Sequence, residues 1–202
     1  MAKLPKQYQF LDLSDYGRTA GNWIASQLKN TRATPIHVTT LFIIAGLIAI
    51  GCMLKGYYKT AAIFIILKSI LDAADGELSR LKNTPSYTGR YYDSIADYIL
   101  NFCFLLAFWR ISNGSIVLML IAFFGIQLQG TVYNYYYVIL RNAVEGDSTS
   151  RIFEDAAPKA LKGESQRTVN IFYKIYDILY ITFDKIMYYM DKNASDSPPF
   201  PK

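Results

Sequence analysis

The stretch from Pro35 to Leu54 contains no Asp, Glu, Lys or Arg, and this feature restricts the fold of the chain more than any other. An α-helix needs about 20 apolar residues to cross the hydrocarbon core of a bilayer, which matches the length of this stretch. Thr34 is a suitable N-cap, and Pro35 is well tolerated in a first helical turn. The sequence therefore predicts a membrane-spanning helix that begins at residue 35.

Three more largely apolar stretches follow the first, and polar turns separate them. They cover residues 60–80, 89–110 and 115–140, approximately. Apolar residues make up 52% of the chain and charged residues only 18%, which is a small charged fraction for a soluble domain. The sequence predicts an all-α integral membrane protein, a helical bundle with four transmembrane helices.

Two amphipathic segments flank the predicted spans. The first begins near Ser14 and repeats apolar residues at helical spacing as far as Leu28, with basic residues around it. Trp23 and these bases suit a helix on the membrane surface, although a helix packed on protein would show the same pattern. The second segment, residues 169–190, has one charged and one apolar side. We interpret it as another surface helix rather than a fifth span.

The distribution of basic residues predicts the orientation of the spans. The chain has 21 Lys and Arg residues, and only Lys55, Lys59 and Arg110 lie in the predicted turns of one membrane side. Nearly all the others flank the opposite ends of the spans, which the positive-inside rule places in the cytoplasm. In a bacterial cell this would be the inner membrane. The chain then divides into a cytoplasmic segment 1–33, a transmembrane core 34–141, and a cytoplasmic loop, amphipathic helix and tail 142–202.

Four aspartates lie in the second and third predicted spans. On a helix, Asp72 and Asp75 fall within one arc of about 100°, and Asp93 and Asp97 are one turn apart. Pro85 lies in the short turn between the spans, so the carboxylates should meet at one end of a helical hairpin. A charge in the middle of a membrane costs ~3 kcal/mol, so these side chains are expected to face a polar interior.

A bound cation would explain how four carboxylates can lie together. Clustered carboxylates repel one another and partly protonate unless positive charge neutralises them. Hard divalent cations prefer oxygen ligands, and two of them ~4 Å apart stabilise both oxygens of a phosphoryl displacement. Lys68, one turn before Asp72, is expected to be a structural counter-ion, whereas Glu77 falls off the arc and is expected in solvent near the helix end. The two cysteines and the single histidine form no soft-metal site.

The order and spacing of these residues are similar to a known family signature. The pattern Asp72-x2-Asp75-Gly76-x2-Ser79-Arg80-x8-Gly89-x3-Asp93-x3-Asp97 resembles the signature of the CDP-alcohol phosphatidyltransferase family, with Ser79 where alanine is usual. The resemblance implies transfer of a phosphatidyl, or other substituted phosphate, group from a CDP-linked lipid such as CDP-diacylglycerol to a small alcohol, with release of CMP, in phospholipid biosynthesis. It also implies a homodimer and six spans, two more than the sequence predicts.

The resemblance also implies roles for the signature residues. Two divalent cations, Mg²⁺ or Mn²⁺, would bind the four aspartates, and Asp97 would take the proton of the acceptor hydroxyl. Gly76, Ser79 and Gly89 would let the backbone approach the nucleotide, and Arg80 would contact phosphate. The expected partners are the CDP-linked lipid, the alcohol and membrane lipids, with no nucleic acid.

A polar stripe on the fourth predicted span is a candidate acceptor site. Its members fall within an arc of about 100°, and hydrogen bonding between helices in lipid explains such a stripe as well as substrate binding does. Arginine can hold an anionic acceptor through two parallel hydrogen bonds. We expect Gln127, Asn134 and Arg141 to contact the acceptor. The stripe consists of Gln127, Gly130, Thr131, Asn134 and Arg141.

Two other functions use membrane-embedded acidic residues. A membrane prenyltransferase holds a metal-bound diphosphate between two aspartate motifs, but those motifs are far apart, whereas here both pairs lie between Asp72 and Asp97. A cation transporter would need an acidic site, but it leaves Gly76, Arg80 and Gly89 at their spacings unexplained. The transferase interpretation accounts for all of these residues.

Overall fold

The computed structural model describes residues 8, 16–143 and 156–193. These residues contain α-helices and no β-strand, which confirms the all-α prediction for this part of the chain. Each predicted helical stretch is present, with bounds that differ by a few residues from the expectation. The helices are α1 (Arg18–Leu28), α2 (Pro35–Leu54), α3 (Tyr58–Lys82), α4 (Tyr87–Ser112), α5 (Ile116–Ala143) and α6 (Gln166–Asn193).

Three of the described helices are long and apolar enough to cross a membrane: α2, α4 and residues Ile116–Leu140 of α5. Helix α3 has 25 residues, which is also sufficient length. It is less apolar than the other three because it carries Lys68 and the first two aspartates. The structure thus supports three of the four predicted spans by length and composition.

The ends of the helices follow from local hydrogen bonds. Thr34 is the N-cap of α2: its Oγ1 accepts a hydrogen bond from the His37 N–H at 3.4 Å, and the Thr34 N–H donates to His37 Nδ1 at 3.1 Å. This reciprocal pair satisfies two N–H groups that a helix start leaves free. Helix α3 ends at Asn83, whose φ of 51° is the left-handed conformation typical of a helix C-terminus. Ser86 caps α4 by accepting from the Gly89 N–H at 2.8 Å.

Helices α2, α3 and α4 pack so that the start of α2, the end of α3 and the start of α4 lie at one end of the bundle. Lys82 at the end of α3 donates to the carbonyl of Ala33, just before α2, at 2.6 Å. Deeper in the bundle, Phe42 of α2 packs in a buried cluster with Leu100 of α4. Gly46 permits this close approach, because a Cβ there would lie 2.9 Å from the Leu100 side chain. This arrangement brings the aspartates of α3 and α4 near the common end.

Helix α1 packs directly against the backbone of α3. A Cβ on Gly21 would lie 2.9 Å from the Cβ of Ala73 and 3.0 Å from the amide nitrogen of Ala74, so only glycine fits. Ile24 of α1 also packs against the buried cluster around Ala74. Trp23, by contrast, is 65% exposed. The predicted apolar stripe is therefore divided, with one side on α3 and Trp23 directed outward.

Helix α6 packs on α4 and α5. Val169 at its start is fully buried in a cluster with Tyr91 and Ile95 of α4. Further along, the ring centroids of Phe183 and Phe124 of α5 are 6.2 Å apart. The apolar side predicted for this segment is thus largely occupied by contacts with protein, although some of its isoleucines remain exposed.

Candidate metal centre

Helices α3 and α4 bring three carboxylates together. One oxygen each of Asp72, Asp75 and Asp93 lies within 4.8 Å of the others. Asp72 and Asp75 are a turn apart on α3, and Asp93 meets them from the first turns of α4. Three carboxylate oxygens at this separation can bind one hard divalent cation. The structure therefore brings together three of the four aspartates that the sequence singled out.

Asp75 is held in place by a threonine of α2. The hydroxyl of Thr39 donates to Asp75 Oδ2 at 2.5 Å, and Asp75 is only 6% exposed. The same hydroxyl lies 3.1 Å from the Pro35 carbonyl, but a hydroxyl has one proton and a carboxylate is the stronger acceptor. Thr39 is not predictable from the sequence, since spacing within α3 gives no information about a residue on α2.

Asp93 has a buried oxygen that a bound cation could satisfy. Its Oδ1 is buried and accepts no hydrogen bond from the residues that the structure describes. A buried carboxylate oxygen without a partner is strongly unfavourable, and a cation is one way to satisfy it. The atoms available to bind a metal are all carboxylate oxygens, which are the ligands that Mg²⁺ and Mn²⁺ prefer. The donor set and the unsatisfied oxygen thus agree with a divalent metal.

Asp97 lies apart from the other three carboxylates. Its Oδ1 forms an ion pair with Lys68 Nζ, and the same ammonium is 4.0 Å from Asp72 Oδ2. Lys68 also lies over the ring of Phe42, 5.0 Å from the centroid, and its side chain is 12% exposed. The sequence predicted Lys68 as a counter-ion beside Asp72, and the structure gives it Asp97 as the closer partner.

The predicted nucleotide-binding residues lie at the end of α3 and the start of α4. Arg80 donates from Nη2 and Nε to Glu77 Oε2, at 2.7 and 3.1 Å. The expectation that Glu77 is solvated is therefore wrong: its side chain is 25% exposed and paired. The i, i+3 spacing of the two residues was the signal for this pair. Ser79 donates to the Thr84 carbonyl at 3.1 Å, and Gly89 is at the capped start of α4.

The polar stripe of α5 does not face the protein interior as a whole. Gln127 and Thr131 are buried, whereas Gly130 and Asn134 are exposed. Thr131 donates to the Gln127 carbonyl at 2.9 Å, and Gln127 Nε2 has no hydrogen-bond partner among the described residues. The backbone of Arg141 belongs to α5, but its side chain lies outside the described part of the structure. The stripe thus offers one buried, unsatisfied amide rather than a continuous polar face.

A carboxylate without a sequence motif, that of Glu164, reaches the start of α4 from a distant segment. Glu164 Oε1 accepts from the Ser86 hydroxyl at 2.7 Å and from the Thr88 N–H at 2.8 Å. Oε2 accepts from the N–H groups of Tyr87 and Leu161, both at 3.2 Å. Partial burial would raise the pKa of Glu164, but these hydrogen bonds outweigh it and hold the pKa below its usual 4.5.

Three helices apolar enough to cross a membrane, with a group of carboxylates between them that can hold a metal ion, suggest a membrane protein of the metal-binding class. The sequence profile of the CDP-alcohol phosphatidyltransferase family matches residues 32–154, which is more than half of the 202-residue chain and includes all four aspartates. The chain belongs to this family, whose members are phosphotransferases that act on CDP-alcohols and typically use divalent cations. Comparison with curated proteins found no match.

Proposed function

We propose that this protein transfers a phosphatidyl group from a CDP-linked lipid, such as CDP-diacylglycerol, to the hydroxyl of a small alcohol and releases CMP. The observation that carries this proposal is the convergence of Asp72, Asp75 and Asp93 in a chain of this family. The family accounts for the type of reaction, and the carboxylates account for the divalent cation that would bind the diphosphate of the donor and stabilise the departing CMP.

We further propose that α3 is the fourth span. Its charged residues Lys68 and Asp75 face α2 and α4, whereas Ile63 on its other side is 65% exposed. An apolar outer surface and a polar inner one suit a helix that faces lipid on one side and a site on the other. The distribution of basic residues supports a cytoplasmic position for the common end of α2, α3 and α4. Helices α1 and α6 would then lie at the interface, outside the transmembrane core 34–141.

Asp72, Asp75 and Asp93 would hold Mg²⁺ or Mn²⁺, and Asp97 is the proposed fourth ligand for a second cation. Bound metal would neutralise charge on the donor diphosphate. Gly76, Ser79 and Gly89 would border the nucleotide, with Arg80 at phosphate, where a phosphate oxygen would replace Glu77 as its partner.

Asp97 would act as the base in the transfer. The acceptor oxygen attacks the phosphorus that carries the lipid, the bond from this phosphorus to the bridging diphosphate oxygen breaks, and CMP leaves with that oxygen. The hydroxyl proton passes to Asp97. A carboxylate is the form that accepts a proton, and the adjacent Lys68 supplies the opposite charge.

Gln127, Asn134 and Arg141 remain the proposed acceptor-binding residues, and Arg141 favours an anionic acceptor. Its test is the apparent acceptor affinity of Arg141→Ala beside the affinity for the CDP-linked lipid. A loss confined to the acceptor supports the assignment, and equal losses contradict it. A homodimer is proposed from the family alone and is tested by the mass of the purified protein in detergent.

The experiment that tests the function is CMP release from CDP-diacylglycerol by the purified protein in detergent micelles, with Mg²⁺ or Mn²⁺ and a panel of alcohols. We expect metal-dependent release of CMP with at least one acceptor, and no release in excess chelator. Release of diphosphate from a prenyl diphosphate, with no CMP from any acceptor, would favour the prenyltransferase alternative.

A further inference from the structure

The segment that follows α5 contacts α4 on both sides of Asp93. Before Asp93, Glu164 binds Ser86, Tyr87 and Thr88 through hydrogen bonds. After it, the hydroxyl of Tyr180 donates to the carbonyl of Ser94 at 2.8 Å. We refer to residues 164–180 as the clasp. The family profile ends at residue 154, so the clasp lies outside the matched region.

The hydrogen bonds of Glu164 stabilise the start of α4. The first N–H groups of a helix have no partner within it, and negative charge at this end also interacts favourably with the helix dipole. Glu164 supplies acceptors for two of these groups, on Tyr87 and Thr88, while Ser86 serves Gly89. The lowered pKa of Glu164 agrees with a carboxylate that is bound in its charged form.

Apolar packing fixes the clasp along the same face of α4. Tyr91 and Val169 are both fully buried in one cluster. The ring of Tyr91 lies 5.1 Å from that of Tyr176, and Tyr92, which directly precedes Asp93, has its ring 5.9 Å from that of Phe172. The clasp therefore contacts α4 at its first turn, at the two residues before Asp93, and at the residue after Asp93.

We propose that the clasp positions Asp93 in the metal centre, and that Glu164 is the positioning residue which fixes the first turn of α4. Asp93 needs this support because its Oδ1 is buried and has no hydrogen-bond donor among the described residues, so no bond to this oxygen sets its direction. The inference rests on the proposed function in one respect, namely that Asp93 is a metal ligand.

The test is a titration of the detergent-purified full chain with Mn²⁺, followed by the loss of the free Mn²⁺ signal in electron paramagnetic resonance. Substitution of a residue that orients a metal ligand without binding the metal typically lowers metal affinity by about 10- to 100-fold. We expect about tenfold weaker Mn²⁺ binding in Glu164→Ala. Glu164→Gln keeps one acceptor oxygen and should show an intermediate loss. The control is Lys185→Gln, which removes a charge from an exposed position of α6 beyond the clasp that makes no hydrogen bond or ion pair within the described residues.

A double-mutant cycle separates positioning from general loss of stability. Ser86→Ala should weaken Mn²⁺ binding in the native background but add little in the Glu164→Ala background, because both residues act on the same turn. Tyr180→Phe removes the hydroxyl that donates to the Ser94 carbonyl and tests this contact. It also replaces Glu164→Ala in the test if that variant does not fold. Unchanged Mn²⁺ affinity in Glu164→Gln and Tyr180→Phe would overturn the proposal.

The titration needs no lipid substrate, so the two proposals can fail separately. If Mn²⁺ binding depends on the clasp but no CMP is released, the proposed function is contradicted and the proposal for the clasp still holds. CMP release together with Mn²⁺ binding that is independent of Glu164 and Tyr180 would do the reverse.

Discussion

Lys68 of α3 and Asp97 of α4 form an ion pair one helical turn away from Asp72 and Asp93, respectively. This pair divides the four aspartates into three that converge and one that already has a positive partner. A second divalent cation at Asp97 would therefore have to compete with a lysine ammonium that is fixed between the two helices. The first cation, at the other three carboxylates, has the same ammonium nearby, 4.0 Å from Asp72 Oδ2.

Replacing Lys68 should consequently favour the second cation. We expect Lys68→Met to bind a second Mn²⁺ more tightly than the native chain, because Asp97 then loses the partner that neutralises it. Isothermal titration calorimetry with Mn²⁺ measures both sites. Lys82→Met is the matched control, since Lys82 donates to backbone carbonyls in the turn before α2 and not to the aspartates. An unchanged second affinity would mean that Lys68 and the metal do not share Asp97.

Substitutions of Asp93 and of Asp97 should have different effects on Mn²⁺ binding and on turnover. Asp93→Asn should abolish both tight Mn²⁺ binding and turnover, because Asp93 completes the group of three carboxylates. Asp97→Asn should lower turnover by about 10²–10⁴-fold, the usual contribution of a general base, while tight Mn²⁺ binding changes little. CMP release and Mn²⁺ titration on the same preparations check this. Equal damage to the tight site by both changes would place Asp97 within it.

The contact between Thr39 and Asp75 predicts that the Thr39 hydroxyl stabilises the folded chain. Thr39→Val keeps the shape of the side chain but leaves a buried carboxylate without its donor, a change that costs about 1–3 kcal/mol. Thermal unfolding in chelator should show this loss, and Thr39→Ser should recover most of it. If Thr39→Val and Thr39→Ser unfold at the same temperature, the hydrogen bond is not what holds Asp75.

The lowered pKa of Glu164 predicts how the stability of the chain depends on pH. Its pKa is lower in the folded chain than the usual 4.5, so its contribution is fully present above that pH and is lost as the pH falls through the folded value. The melting temperature of the native chain should therefore exceed that of Glu164→Gln near neutral pH, and the gap should narrow below about pH 4.5. A gap that stays constant into the acid range would contradict this.

Sequence reasoning worked best where the relevant contacts lie within one helix. The start of α2 was predicted because Thr34 and Pro35 are local signals, and the shared face of Asp72 and Asp75 follows from the helical period alone. The pair of Glu77 and Arg80 was within reach of the same rule and was overlooked.

The contacts between helices could not be read in this way. Lys68 meets Asp97 because of the angle and depth at which α3 and α4 pack, and spacing within either helix contains neither quantity. Glu164 is 76 residues away from Thr88, and a single glutamate in a polar stretch has many possible partners. Tertiary packing, rather than local pattern, selected these pairs.

The tight contact of Gly21 with Ala73 and Ala74 bears on how this chain could be recombined with relatives. The region that defines the family begins at residue 32, yet the helix that carries Asp72 and Asp75 has its backbone against α1, where any side chain larger than hydrogen would displace it. A chimaera that grafts residues 32–154 onto foreign flanks would lose that fit. The transplantable unit is therefore wider than the homologous one, because it must also include α1.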